Sequence, residues 1–229
     1  MINGVVFDLD HTLFDRYATL TKIAPAMYEY FKSKIAYGLM IEDIAATLIY
    51  ADKNFNCFGF GAVVEYLNES GFFREAVTTE EYTSKLLECF AEVAVPFPFT
   101  QTVLDKLYEA GYKTGLITNG THELQSAKLK LLGIENKFDE IIICGDIGTK
   151  KPDIAPFVMM SDKLGIPANE LLYAGDHPVN DVDASRRAGY VPVWVKTSGL
   201  WQYPDVKRCE FEIDTVAEIF EVLNKLTVN

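Results

Sequence analysis

Gly4-Val5-Val6-Phe7-Asp8-Leu9-Asp10-His11-Thr12 opens the chain with a short apolar run that ends in two carboxylates. An apolar run of this length, bounded by polar residues, reads as a buried strand. Runs of the same kind recur at residues 113–118, 140–144, 171–174 and 192–195. Amphipathic stretches at 103–110, 124–132, 154–164 and 182–188 lie between them. Continuously apolar strands alternating with helices are what a parallel sheet covered on both faces requires. The right-handed crossover rule then makes an open, doubly wound α/β sheet the expected architecture.

Residues 15–98 break the alternation. They read as four helices, at 20–37, 42–55, 61–70 and 79–93, punctuated by Gly38, Gly71 and Pro96-Phe97-Pro98. The segment carries seven basic and twelve acidic residues and holds fifteen of the 27 Phe and Tyr residues. An 84-residue helical insertion after the first strand predicts a second, smaller domain, joined through a hinge near Asp15 and 96–99. The expected division is therefore 1–14 with 99–229 as one domain and 15–98 as the other. Its aromatic residues (Tyr17, Tyr28, Phe55, Phe58, Phe60, Phe72 and Phe73) read by default as the core of a helical bundle.

The 229 residues include 33 acidic and 21 basic side chains, a net charge of −12, with 49% hydrophobic and 24% charged residues. This is the composition of a folded globular chain. A sequence pI near 4.7 argues against a nucleic-acid partner, which selects a basic face. No uncharged apolar run approaches the roughly 20 residues of a membrane helix, and residues 1–10 lack the pattern of a signal peptide. Cys57, Cys89, Cys144 and Cys209 are scattered, without C-x-x-C spacing, and read as small buried hydrophobes. The expectation is a cytoplasmic protein, monomer or homodimer, with no membrane partner.

Four short signals fall at the carboxyl ends of expected strands. Asp8 and Asp10 in D-x-D-x-T share a face if the strand continues. If the chain turns at Leu9–Asp10, a carbonyl and a carboxylate converge on a cation, and hard oxygen ligands of this kind suit Mg²⁺. A helix cap or plain turn is the competing reading. Thr118-Asn119-Gly120 offers a hydroxyl and loop N–H groups at a helix start, a cradle for an anion or an ordinary cap. In Lys150-Lys151-Pro152-Asp153, Pro152 is expected to start a helix. Lys151 is then turned toward the sheet edge as a phosphate-binding point charge and Lys150 toward solvent. In Gly175-Asp176-His177-Pro178-Val179-Asn180-Asp181, Gly175 permits close approach of a ligand. Asp176 is a candidate metal ligand there, and Asp181 either caps the next helix or holds the lysine. Trp201 and Tyr203 are expected to pack on the rim.

If the four loops meet, Asp8, Asp10, Asp176 and Asp181 bring four negative charges into one crevice. Burying them uncompensated costs several kcal/mol per ion. A divalent cation together with Lys151 brings the site close to balance, which favours a metal site over four unrelated turn acids.

This combination and order resemble the haloacid dehalogenase superfamily, the aspartate-nucleophile phosphohydrolases, over essentially the whole chain. Asp8-x-Asp10-x-Thr12 looks like the family's first motif, Thr118 its second, Lys151 its third, and Gly175-Asp176 with Asp181 its fourth. The helical insertion looks like the cap of the subfamily whose cap lies between the first and second motifs, on a Rossmann-like core. Ile117-Thr118-Asn119-Gly120 with Gln125, and Phe138-Asp139 followed by Lys151-Pro152, are similar to the branch of pyrimidine nucleotidases and N-acylneuraminate-9-phosphatase.

The resemblance implies a Mg²⁺-dependent phosphomonoester hydrolase acting on a small phosphorylated metabolite through an aspartyl-phosphate. A nucleoside monophosphate is the first expectation, with sugar phosphate or phosphoglycolate behind it. Asp8 is implied as nucleophile and Asp10 as general acid and base. The metal is implied to rest on Asp8, the Asp10 carbonyl and Asp176, and the phosphoryl group on Thr118, Asn119 and Lys151. Thr12 and Asp181 are implied as supporting residues. A phosphomutase or dehalogenase on the same fold, or a non-catalytic regulatory binding protein, are the alternatives. The dehalogenases lack an acid at the Asp10 position, and a mutase needs cap groups to hold a bisphosphate, whereas this insertion is net −5 with only two arginines, Arg16 and Arg74.

Overall fold

The computed structural model describes residues 1–199 and 201–228, the side chains of Cys57 and Val228 excepted, so the reading of Cys57 as a buried hydrophobe lies outside the described residues. Strands β1 (Gly4–Phe7), β2 (Lys113–Thr118), β3 (Glu140–Ile143), β4 (Leu171–Gly175), β5 (Val191–Val195) and β6 (Phe211–Ile213) form one sheet in the order β3-β2-β1-β4-β5-β6. Every pairing is parallel. The register sets Phe7 beside Leu116 on one side and Ala174 on the other, and Asp8 N–H continues the ladder by donating to the Ala174 carbonyl at 2.9 Å. Strand order reverses between β1 and β4, and a doubly wound sheet opens its ligand crevice at such a reversal. Asp8 and Asp176 follow the two strands that flank it.

The helices of this unit are α5 (Thr100–Glu109), α6 (His122–Leu132), α7 (Ala155–Leu164), α8 (Ala184–Arg187) and α9 (Ile219–Val228). Helix α7 packs on β2 and β3 and α5 packs on β2. Beneath α7, Phe157 and Met160 join Val6, Ile117, Ile142 and Tyr173 in one buried cluster. Gly115 makes this fit possible, because a β-carbon there would lie 2.7 Å from the Met160 sulfur.

The helical unit, Arg16–Val95, is separate from the unit formed by Met1–Asp15 and Pro96–Asn229. It contains α1 (Arg16–Phe31), α2 (Ile41–Phe55), α3 (Phe60–Glu69) and α4 (Thr79–Glu92). Phe72 and Phe73 are core residues, whereas Phe58 is exposed. Arg16 and Asp52 form a buried ion pair at 2.8 Å inside the bundle, with the Arg16 guanidinium 4.9 Å from the centre of the Phe90 ring. The chain leaves and re-enters the sheet unit side by side. Phe14 pairs with Pro96, and the Leu13 carbonyl accepts from Phe97 N–H at 3.3 Å and Thr100 Oγ1 at 2.8 Å. Residues 96–98 therefore belong with the sheet rather than with the insertion.

Local departures from the sequence reading have tertiary causes. Helix α1 ends at Phe31 rather than 37, because Ala36 N–H donates to the Phe72 carbonyl and Arg74 N–H to that of Lys34, both at 2.8–2.9 Å. Pro152 does not start a helix: it lies in a turn, and Pro156 occupies the first turn of α7. Residues 178–183 form a π-helical turn ahead of the short α8. Among the described residues, no helix is long and apolar enough to cross a membrane.

Candidate active site

The four loops meet. Lys151 Nζ, in the turn after β3 and before α7, donates to Asp8 Oδ1 at 2.7 Å and to Asp181 Oδ1 at 2.6 Å. It also donates to the Tyr173 hydroxyl at 2.9 Å, so all three of its N–H groups have partners. Asp8, Asp176 and Asp181 each present one oxygen within 4.8 Å of the others, and all three are buried. Thr12 is fully buried, with its hydroxyl 3.5 Å from Asp8.

Asp181 is fixed on both oxygens: one holds Lys151, and the other accepts the His177 N–H at 2.9 Å. It therefore orients the lysine and closes the turn, uniting two readings that the sequence kept apart. Gly175 makes room for this carboxylate rather than for a ligand, since a β-carbon there would lie 2.5 Å from the Asp181 carboxyl carbon. Trp194 Nε1 donates to the Asp176 carbonyl at 2.8 Å, and the Tyr203 hydroxyl lies 3.2 Å from His177 Nε2. Trp201 packs edge-on against Trp194, so both loop aromatics brace the loop that carries Asp176.

Burial sets the electrostatics. It raises the Asp8 carboxyl to about 7, with Asp181 and Asp10 adding to the effect and Lys151 opposing it. Asp176 is raised well above the carboxylate range by burial and by the neighbouring Asp181 and Asp8. Burial acts to lower Lys151, but Asp181 and Asp8 outweigh it and hold the lysine charged. With all three carboxylates ionised, one ammonium leaves two negative charges uncompensated, which is why the metal-free site holds on to protons and what one divalent cation would balance.

Asp10 stands apart from that cluster. Its carboxylate is gripped by Lys128 at 2.7 and 3.0 Å and by Gln125 Nε2 at 3.2 Å. The crevice therefore counts three buried acids where the sequence reading counted four, because the fourth has its own lysine. Gln125 also donates to the Thr118 hydroxyl. Asn119 is committed through both ends of its amide: Oδ1 accepts the Lys151 N–H at 2.9 Å and Nδ2 donates to the Lys151 carbonyl at 3.0 Å. Its side chain pins the lysine loop and has no amide group to spare for an anion. The cap of α6 is Thr121, not Thr118. Lys150 is exposed, as its reading required.

Lys128 and Tyr173 were not singled out from sequence, and Gln125 was named only within a resemblance, without a role. Lys128 and Gln125 sit with Leu129 and Leu132 on the buried face of α6, and the signal was available: long polar side chains at core-face positions of an amphipathic helix demand buried partners. Tyr173 looked like any apolar strand residue.

A family model described as haloacid dehalogenase-like hydrolase matches residues 5–195. The chain belongs to this family. Among relatives of this haloacid dehalogenase-like (HAD) hydrolase, the glyceraldehyde 3-phosphate phosphatase of Methanocaldococcus jannaschii is 29% identical over 99% of both chains. The phosphoglycolate phosphatase of Neisseria meningitidis is 28% identical over 97% of this chain and 94% of its own. The HAD-hydrolase YfnB of Bacillus subtilis, solved bound to magnesium, has a TM-score of 0.70 at 18% identity, covering 97% of this chain and 99% of its own. That likeness confirms the HAD fold.

Proposed function

We propose that this HAD protein is a Mg²⁺-dependent phosphatase of small phosphorylated metabolites, working through an aspartyl-phosphate on Asp8. The observation that carries the reading is the buried group of Asp8, Asp176 and Asp181 around Lys151, two negative charges short of balance. Hard carboxylate oxygens on a strongly negative site fit Mg²⁺, which binds through one or two carboxylates and keeps several waters. Asp8, Asp176 and the Asp10 carbonyl would hold it. Asp181, already committed to Lys151 and His177, supports from outside. When bound, the ion would neutralise charge on the phosphoryl oxygens.

This chain's own groups do the rest. Asp8 attacks phosphorus as its bond to the leaving oxygen breaks. Asp10 delivers a proton to that oxygen, then takes one from the water that hydrolyses the aspartyl-phosphate. The Thr118 hydroxyl and the N–H groups of the 119–120 loop hold the remaining oxygens, and Lys151, committed to Asp8, Asp181 and Tyr173, adds its positive charge beside them, where charge stabilisation is the largest contribution.

Relatives named for glyceraldehyde 3-phosphate and phosphoglycolate support a short phosphorylated substrate over the nucleoside monophosphate of the first expectation. A mutase is disfavoured by the insertion's arginines. Arg16 is committed to Asp52, and the Arg74 guanidinium lies 4.3 Å from the centre of the Tyr37 ring.

The test is hydrolysis of p-nitrophenyl phosphate by the full chain with Mg²⁺, followed by a phosphate-release panel of triose, glycolyl, sugar and nucleoside monophosphates. Activity that vanishes in Asp8→Asn and with EDTA is the expected result. Undiminished turnover in either case overturns the reading.

A further inference from the structure

Lys128 is a buried cation that grips both oxygens of one acid. It lies on α6, its side chain 3% exposed, with its ammonium 2.7 and 3.0 Å from the two oxygens of Asp10 and 4.8 Å from the centre of the Phe14 ring. Gln125, one helical turn earlier on the same face, reaches Asp10 Oδ2 at 3.2 Å with the same nitrogen that contacts the Thr118 hydroxyl. Burying a lysine on a helix face that otherwise packs Leu129 and Leu132 is unfavourable unless its charge is paired.

We propose that Lys128, with Gln125, is a positioning residue that fixes the Asp10 carboxyl for proton delivery to the leaving oxygen of the substrate. The inference rests on the acid role assigned to Asp10 above. In the first step the Asp8–phosphorus bond forms, the bond from phosphorus to the leaving oxygen breaks, and the Asp10 proton moves onto that oxygen, giving a neutral alcohol and the Asp10 carboxylate. Lys128 holds the carboxyl by both oxygens through its ammonium. Gln125 ties the same carboxyl to Thr118, at the end of β2, so that acid and phosphoryl-binding loop share one nitrogen. Misplacing a general acid costs most where the leaving group most needs its proton. A role confined to folding lowers all substrates alike.

The experiment compares kcat/KM of the Mg²⁺-loaded full-length protein for ethyl phosphate, whose alkoxide must be protonated, and p-nitrophenyl phosphate, whose phenolate leaves without help. Asp10→Asn and Lys128→Met are each made in the wild type, and Lys128→Met also in Asp10→Asn. General acids contribute about 10²–10⁴-fold. Lys128→Met is expected to lose about 100-fold on ethyl phosphate and less than about tenfold on p-nitrophenyl phosphate. In the Asp10→Asn background it should add little, as expected of residues acting through one another. Equal losses on the two substrates, or additive losses in the double variant, overturn the proposal while leaving Asp10 as the acid. A non-selective loss in Asp10→Asn itself overturns the acid assignment and the proposal with it. Melting temperatures identify a variant that does not fold, in which case Lys128→Gln, which keeps a donor without the charge, carries the same comparison.

Discussion

Lys151 Nζ lies 2.6 Å from Asp181 Oδ1, and each side chain is only 2% exposed. The pair is a closed electrostatic unit: the lysine bridges to Asp8, and the carboxylate's other oxygen holds the His177 N–H. Breaking a buried pair by removing one partner typically costs about 3–5 kcal/mol, because the other charge is left in low dielectric. Lys151→Met should therefore destabilise the metal-free protein by roughly that amount and abolish activity. Urea denaturation checks it. Because the variant leaves three clustered carboxylates without their lysine, millimolar Mg²⁺ should recover more stability in Lys151→Met than in the wild type. Equal stabilisation by Mg²⁺ in both would count against the shared charge balance.

Gly175 offers a steric test of the same unit. A β-carbon there would fall 2.5–2.7 Å from the Asp181 carboxyl, so Gly175→Ala must move that side chain. Overpacking of this kind costs about 1–3 kcal/mol. The displaced carboxylate would also release Lys151 and the His177 loop next to Asp176. The expected outcome is a lower melting temperature together with weaker Mg²⁺ binding by calorimetry. A variant with native Mg²⁺ affinity would show that Asp181 does not govern the site.

The sheet and the acidic motifs were legible because each announces itself locally. Four apolar runs end in Asp8, Thr118, the Lys151 loop and Gly175-Asp176, and a parallel sheet brings all strand ends to one edge. What stayed hidden depends on long-range partners. Lys128 and Gln125, on the core face of α6, announce that a buried polar partner exists but not that it is Asp10. Asn119 has the composition of an anion loop, yet its amide is consumed by the Lys151 backbone. Strand β6 has three residues, too few for an apolar period to register, and is defined by pairing with β5. Helix α1 stops short of its amphipathic pattern because Ile35 pairs with Phe73.

Stability of the metal-free protein should fall as pH rises. Asp8 titrates near 3.8 when unfolded and at about 7 in the folded protein. The folded chain therefore holds more protons across that window, and the stabilising contribution, complete below the lower value, is lost as pH passes the upper one. Asp176, raised by burial, acts in the same direction. Without metal, the wild-type urea midpoint should fall more steeply from pH 5 to pH 8 than that of Asp8→Asn. Mg²⁺, which competes with those protons, should bind more tightly at pH 8 than at pH 5. Parallel pH profiles for the two proteins would show that Asp8 does not carry the burden assigned to it.

Tyr173 supplies the last test, because its hydroxyl is the neutral member of the network. It accepts from Lys151 at 2.9 Å and lies 3.2 Å from Asp181 Oδ1, to which it donates. The ring is fully buried, with Phe157 edge-on at 4.9 Å, so Tyr173→Phe keeps the packing and deletes only the hydrogen bonds. Hydrogen bonds to charged groups contribute about 1.5–3 kcal/mol, and two of the hydroxyl's partners are charged, the third being the Ile117 carbonyl at 3.3 Å. Tyr173→Phe should lower stability by about that amount. Lys151 retains Asp8 and Asp181 and so stays charged, which means kcat should fall by only about tenfold, against the complete loss expected of Lys151→Met. A Tyr173→Phe enzyme as inactive as Lys151→Met would assign the hydroxyl a direct part in the reaction instead of a supporting one.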